Sequence, residues 1–148
     1  MIDIIYSANL KSQLNATLFE RRIFLAQQLL GLDEEIITVK VCDDEEMHAL
    51  NKMYRDIDDT TDVLSFNLDF DDPGQKQLVL GDIIISLIRA NQQAIENEHS
   101  LEDEMTLLAI HGLLHLMGHD HALKKEKQIM FSLQENIYQQ VVSGDYES

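Results

Sequence analysis

The chain has 148 residues, 45% of them hydrophobic, which points to one domain over 1–148 with a single core and excludes a disordered polymer. No apolar run reaches the length a membrane-spanning helix needs, so none is expected. Lys and Arg number 11 against 27 Asp and Glu, a formal net charge of −16; this excludes a generic nucleic-acid binder working by counterion release, but not an enzyme whose few basic residues line one cleft.

The start, Met1-Ile2-Asp3-Ile4-Ile5, carries no basic region followed by a long apolar stretch, so no signal peptide and a cytoplasmic location are expected. Leu14, Leu18, Leu25 and Leu29 recur at helical spacing and predict an amphipathic helix over roughly 13–30, with Gly31 as its stop. The β-branched run at 36–42 predicts a strand. Cys42 within it is the only cysteine, which excludes an internal disulfide and reads as a small buried hydrophobe. Asp43 or Asp44 is suited to cap a helix to about Tyr54, with Met47, Leu50 and Tyr54 on its apolar side. Alternation over 62–66 predicts a short strand, and Pro73 marks a turn or loop. The segment 78–85 predicts a strand apolar on both faces, with a bulge or close contact at Gly81.

A helix follows over roughly 86–98. Ser100 opens another, with Asp103 three positions on and Glu102 and Glu104 in its first turn. It runs to about Met117 and is apolar nearly all round, so it is expected to be central and buried. A last helix over about 124–142 carries Ile129, Leu133, Ile137 and Val141 in one core stripe. The acidic runs at 43–46, 56–59, 69–72 and 96–104 read as solvated surface, and the surplus charge would suit a basic protein partner. The order of elements predicts an α+β fold with a small sheet covered by helices.

Chemistry concentrates in His111-Gly112-Leu113-Leu114-His115-Leu116-Met117-Gly118-His119-Asp120-His121. His111 and His115 are i and i+4, so their imidazoles lie one turn apart on one face, as two ligands of one tetrahedral ion require. Gly118 can take a left-handed backbone and end the helix, which lets the chain fold back and bring His121 to the same ion. Three neutral imidazoles leave a fourth position open, the catalytic rather than the structural pattern. Zinc is the expected ion, with nickel or another divalent metal as a substitute in a purified sample. The competing view is three core histidines bonded to backbone; three on an oily helix are costly to bury without a shared partner. The spacing is also similar to the zinc-peptidase signature His-Glu-x-x-His-x-x-Gly-x-x-His, but Gly112 stands where that signature needs its general-base Glu. Asp120 either orients a ligand or forms the turn, and His48 and His99 read as surface without a role.

The whole string from His111 to His121 resembles the signature of the YbeY endoribonucleases, ribosomal-RNA maturation factors. Leu50-Asn51-Lys52-Met53-Tyr54-Arg55 followed by Thr61-Asp62-Val63-Leu64-Ser65-Phe66 resembles a second block of that family, and Leu80-Gly81-Asp82-Ile83 a third. The chain departs from the pattern at Ile57, where Lys is common, and at Thr60 and Asn67, where Pro is. The resemblance implies a mixed four-stranded sheet with about five helices, a buried central helix carrying the histidines, and one zinc on His111, His115 and His121. It implies cleavage of single-stranded RNA in maturation of the 16S rRNA 3′ end and ribosome quality control, with a catalytic, phosphate-facing role for Arg55. A metal-activated water or an RNA 2′-hydroxyl would be the nucleophile. A basic ribosomal protein or a ribosome-associated GTPase is the partner it implies. Without the resemblance, Arg55 reads as a surface ion pair with Asp56, Asp58 or Asp59. A metallohydrolase of another class, peptidase or esterase, and a zinc-stabilised assembly factor with little catalysis are the alternatives.

Overall fold

The computed structural model describes residues 2–70, 79–119 and 124–144, with side chains up to 67 in the first of these segments. Four strands, β1 (Ile2–Tyr6), β2 (Ile36–Cys42), β3 (Val63–Phe70) and β4 (Val79–Ser86), form one sheet in the order β1-β2-β4-β3. β1, β2 and β4 run parallel, and β3 is the antiparallel edge. The helices are α1 (Ala16–Leu29), α2 (Asp44–Arg55), α3 (Leu87–Glu96), α4 (Leu101–Leu116) and α5 (Lys124–Ser143). The fold is α+β with a four-stranded mixed sheet, as expected. Pro73 lies outside the described residues.

One face of the sheet carries the main core. Period-two alternation turns Ile37, Val39, Val41, Ile83 and Ile85 inward, all fully buried. α4 packs on this face, flanked by α1, α3 and α5. Its Met105, Ile110, Leu113 and Leu114 are fully buried, so the expectation of a central buried helix is met. The opposite face is covered by α2, around a smaller cluster of Cys42, Met47, Leu64 and Ile84.

Local chemistry explains the helix ends. Asp43, Ser86 and Ser100 each accept a backbone N–H three residues on and so start α2, α3 and α4. Gly31, at φ +70°, ends α1 as expected.

The α1 stripe differs in phase from the sequence expectation, and the α5 stripe in one residue. α1 buries Phe19, Ile23 and Ala26, whereas Leu29 is 40% exposed. α5 carries Leu133, Ile137 and Val141 against the core as expected, but Met130 is buried in place of Ile129, which is 51% exposed. A shift of one residue turns a helical side chain by about 100°; on α1 the neighbouring row, and at the start of α5 the neighbouring residue, fits the core more closely.

The acidic run at 96–104 is not all solvated. Glu104 is buried, accepting from Asn97 and pairing with His99 at 2.6 Å, so His99 is a half-buried structural partner rather than a surface residue. Asp103 takes a 2.9 Å ion pair from the buried Arg22, which also donates to Thr106 and so ties α1 to α4.

Cys42 is buried as expected. Its thiol is pushed up to about 12 by that burial, with Glu46 and Asp43 adding to the effect. A thiolate is the reactive form, so native protein is expected to resist the thiol reagent DTNB and to react once unfolded in urea. Immediate reaction in plain buffer would contradict this placement.

Candidate active site

The two helical histidines of the motif come from the last two turns of α4. His111 and His115 present their rings to one another with centroids 4.6 Å apart and Nε2 atoms 3.1 Å apart. Two imidazole nitrogens at about 2.0–2.1 Å from one tetrahedral zinc lie roughly 3.3 Å from each other. The separation therefore suits a shared cation, or a proton shared in its stead. His111 Nδ1 lies 2.8 Å from Gln134 Oε1 on α5. An amide oxygen can only accept, so Nδ1 carries the hydrogen and Nε2 keeps its lone pair toward His115. The donor set thus fits a divalent metal.

Gly112 explains why this helix sits so close to the sheet. A Cβ at that position would lie 2.7 Å from Ile83 Cγ2 on β4. The residue after His111 faces the sheet, so the position at which a peptidase would carry its base is filled by packing. A second close approach occurs at Gly81, where a Cβ would stand 2.1 Å from the Phe66 carbonyl oxygen and 2.8 Å from Leu116 Cδ2. The β2–β4 register slips beside it, between Ile36 and Ile37, so the expected irregularity is present together with the contact.

α4 ends in a Schellman arrangement. Gly118, at φ +98°, donates to the His115 carbonyl, and His119 N–H donates to that of Leu114. The expected turn at Gly118 is therefore in place. Asp120 and His121 lie outside the described residues. Among the described residues no third His, Cys, Asp or Glu joins the pair as a metal cluster.

Arg55 reaches the same place from the other side of the sheet. Asp56 adopts a left-handed φ of 57° and ends α2 immediately after it. The following loop is pinned twice: the buried Asn51 donates to the Asp59 carbonyl at 3.0 Å, and the Thr60 hydroxyl to Asp44 at 2.6 Å. This carries the chain from α2 over the sheet edge into β3. Asp58 pairs with His48 and Lys52 rather than with Arg55.

The result is one open cleft of about 350 Å³ lined by Arg55, His111 and His115 together with Thr61, Asp62, Val63, Ser65, Asn67 and Leu116. Within β3, residues 63, 65 and 67 alternate, so period two places them toward α4, and Thr61 and Asp62 line the cleft from the loop before the strand. The Asn67 amide donates to the Leu116 carbonyl at 2.9 Å and caps α4, while Ser65 lies 3.5 Å from the Gly112 carbonyl. Asp62 is held by Val63 N–H and the Gln93 amide. Residue-level reading of the sequence did not assign these positions to the site; alternation across 61–67 beside Arg55 was the available signal. Asp82 does not line the cleft, and burial pushes its carboxyl above the ordinary value.

Comparison with known proteins agrees with this geometry. The family model described as endoribonuclease YbeY matches residues 5–142. The protein named endoribonuclease YbeY from Oceanobacillus iheyensis is 39% identical over 144 residues, covering 92% of this chain and 94% of that one. Its counterpart of that name in Bacillus subtilis is 36% identical, covering 93% and 92%. The solution structure of TM1509 from Thermotoga maritima superposes with a TM-score of 0.68 at 29% identity, covering 97% of this chain and 91% of that one. Helix, sheet and histidine motif coincide with a match across nearly the full length, and the chain belongs to the YbeY endoribonuclease family.

Proposed function

We propose that the cleft is the active site of a zinc-dependent endoribonuclease that cuts single-stranded RNA, with ribosomal RNA, at the 16S 3′ end, as its substrate. The observation that carries this reading is the convergence of Arg55 with the facing Nε2 atoms of His111 and His115 in one cleft. Family membership supports RNA as the polymer. Among the described residues no helix is long and apolar enough to cross a membrane.

His111 and His115 would hold the zinc through Nε2, and His121 is the third ligand expected from the motif. When bound, such an ion supplies Lewis acidity toward a phosphoryl oxygen and a lowered pKa for water. Arg55 supplies a planar guanidinium that pairs with two phosphate oxygens and stabilises the charge that builds as phosphorus becomes five-coordinate. Thr61, Ser65 and Asn67 line the wall with neutral polar groups, suited to sugar or base edges. The product ends report the nucleophile: a 2′,3′-cyclic phosphate means attack by the RNA 2′-hydroxyl, a linear phosphate attack by water.

Arg55→Ala is the direct test of the machinery. Removing one charge-stabilising donor is expected to lower kcat by about 10²- to 10³-fold, with zinc content and melting temperature unchanged. Arg55 is exposed at a helix end, so the fold should tolerate the change. Equal cutting by the folded, zinc-loaded variant would remove Arg55 from the mechanism and point to a contaminant or another site, whereas zinc-loaded wild type that does not cut would favour the assembly-factor alternative.

A further inference from the structure

We infer that Gln134 is a positioning residue for the metal: its amide oxygen holds His111 as the Nδ1–H tautomer and so delivers the Nε2 lone pair to the cleft. The inference rests on the metal-site reading above and extends it to α5. α5 turns Met130, Leu133, Ile137 and Val141 toward the core. Gln134 is four residues after Met130 and three before Ile137, so it sits on that same inward stripe, where an apolar side chain would otherwise pack. A polar residue there needs a partner, and Oε1 finds it in His111 Nδ1 at 2.8 Å. A neutral imidazole has one N–H. With Nδ1 donating to Gln134, Nε2 is the acceptor, and Nε2 is the atom 3.1 Å from His115 Nε2.

The choice of an amide over a carboxylate has a chemical consequence. Histidine ligands commonly lean on a carboxylate, which raises ligand basicity and tightens the metal. Gln134 orients the ring through the same geometry without adding negative charge. A metal on His111 then keeps more of its charge for the substrate, in a protein that is already strongly acidic.

The test compares wild type, Gln134→Leu and Gln134→Glu, each stripped of metal and titrated with zinc against a chromophoric chelator. ¹⁵N NMR of the stripped proteins reads the His111 tautomer, and thermal melts check the fold. Gln134→Leu is expected to bind zinc about 10- to 100-fold more weakly and to gain the Nε2–H tautomer. Gln134→Glu keeps the acceptor and should bind at least as tightly as wild type, with Nδ1–H retained. Equal zinc affinity in wild type and Gln134→Leu would overturn the positioning role and leave the metal site standing. Failure of Gln134→Glu to recover affinity would overturn it too, by assigning the effect to packing. Absence of zinc binding by wild type would instead bring down the metal reading itself, and the inference with it.

Discussion

His115→Ala is expected to strip the protein of stoichiometric metal and, with it, of measurable RNA cleavage. His115 supplies one of the two facing Nε2 atoms, so its loss removes a donor outright rather than a group that orients one. Outer partners of a metal ligand are typically worth about 10- to 100-fold in affinity, and a ligand itself is worth more. The substitution is benign for the helix. Alanine is the best helix former, and His115 is only half-buried, at the cleft end of α4. The metal-free variant should therefore melt close to metal-free wild type. Metal analysis on the purified, folded variant decides the matter: one equivalent of metal retained per chain would sink the ligand assignment.

Gly112→Glu is expected to destabilise the protein severely without creating a peptidase. The change supplies the residue that the zinc-peptidase signature has at this position. A Cβ there meets Ile83 at 2.7 Å, and Ile83 is fully buried in β4. Overpacking of this kind costs about 1–3 kcal/mol. A carboxylate driven into the helix–sheet contact without a partner adds roughly 3–5 kcal/mol. Together these are comparable with the whole stability of a domain this size, about 5–15 kcal/mol. Gly112→Ala, which adds only the Cβ, should lose the first part alone. Urea melts of the two variants read the difference. A Gly112→Glu protein as stable as wild type would mean that α4 is not seated on β4 as described.

The elements most legible in the sequence were those with a local chemical signal. Asp43 and Ser100 declare helix starts through their own hydrogen bonds, and Gly31 and Gly118 declare ends through the left-handed backbone. β1 escaped placement from pattern alone. Its five residues carry only a brief alternation, and what makes them a strand is the parallel pairing with β2, a non-local contact. The phase of α1 and the first member of the α5 stripe were missed for a related reason. Leu18 or Phe19, and Ile129 or Met130, are equally good apolar candidates, and only the shape of the opposing core chooses between them.

The site divides in the same way. His111 and His115 share a helix, so their spacing announced their meeting. Arg55 was legible only through family resemblance, because an Arg beside three Asp residues looks like an ion pair. It reaches the cleft because Asn51 and Thr60 pin the connecting loop. Thr60 and Asn67, two of the departures from the family pattern, are both absorbed by hydrogen bonds, to Asp44 and to the end of α4. Gln134 could have been noticed only as a polar interruption in an apolar stripe.

One metal-dependent cleft is expected to cut RNA. Its most direct test is cleavage of an end-labelled single-stranded RNA by wild-type protein as purified, after chelation, and after return of one equivalent of zinc. Cutting is expected to disappear on chelation and to return with the metal. Unchanged cutting by the metal-stripped protein would contradict it, as would intact RNA alongside metal-dependent turnover of a peptide or ester.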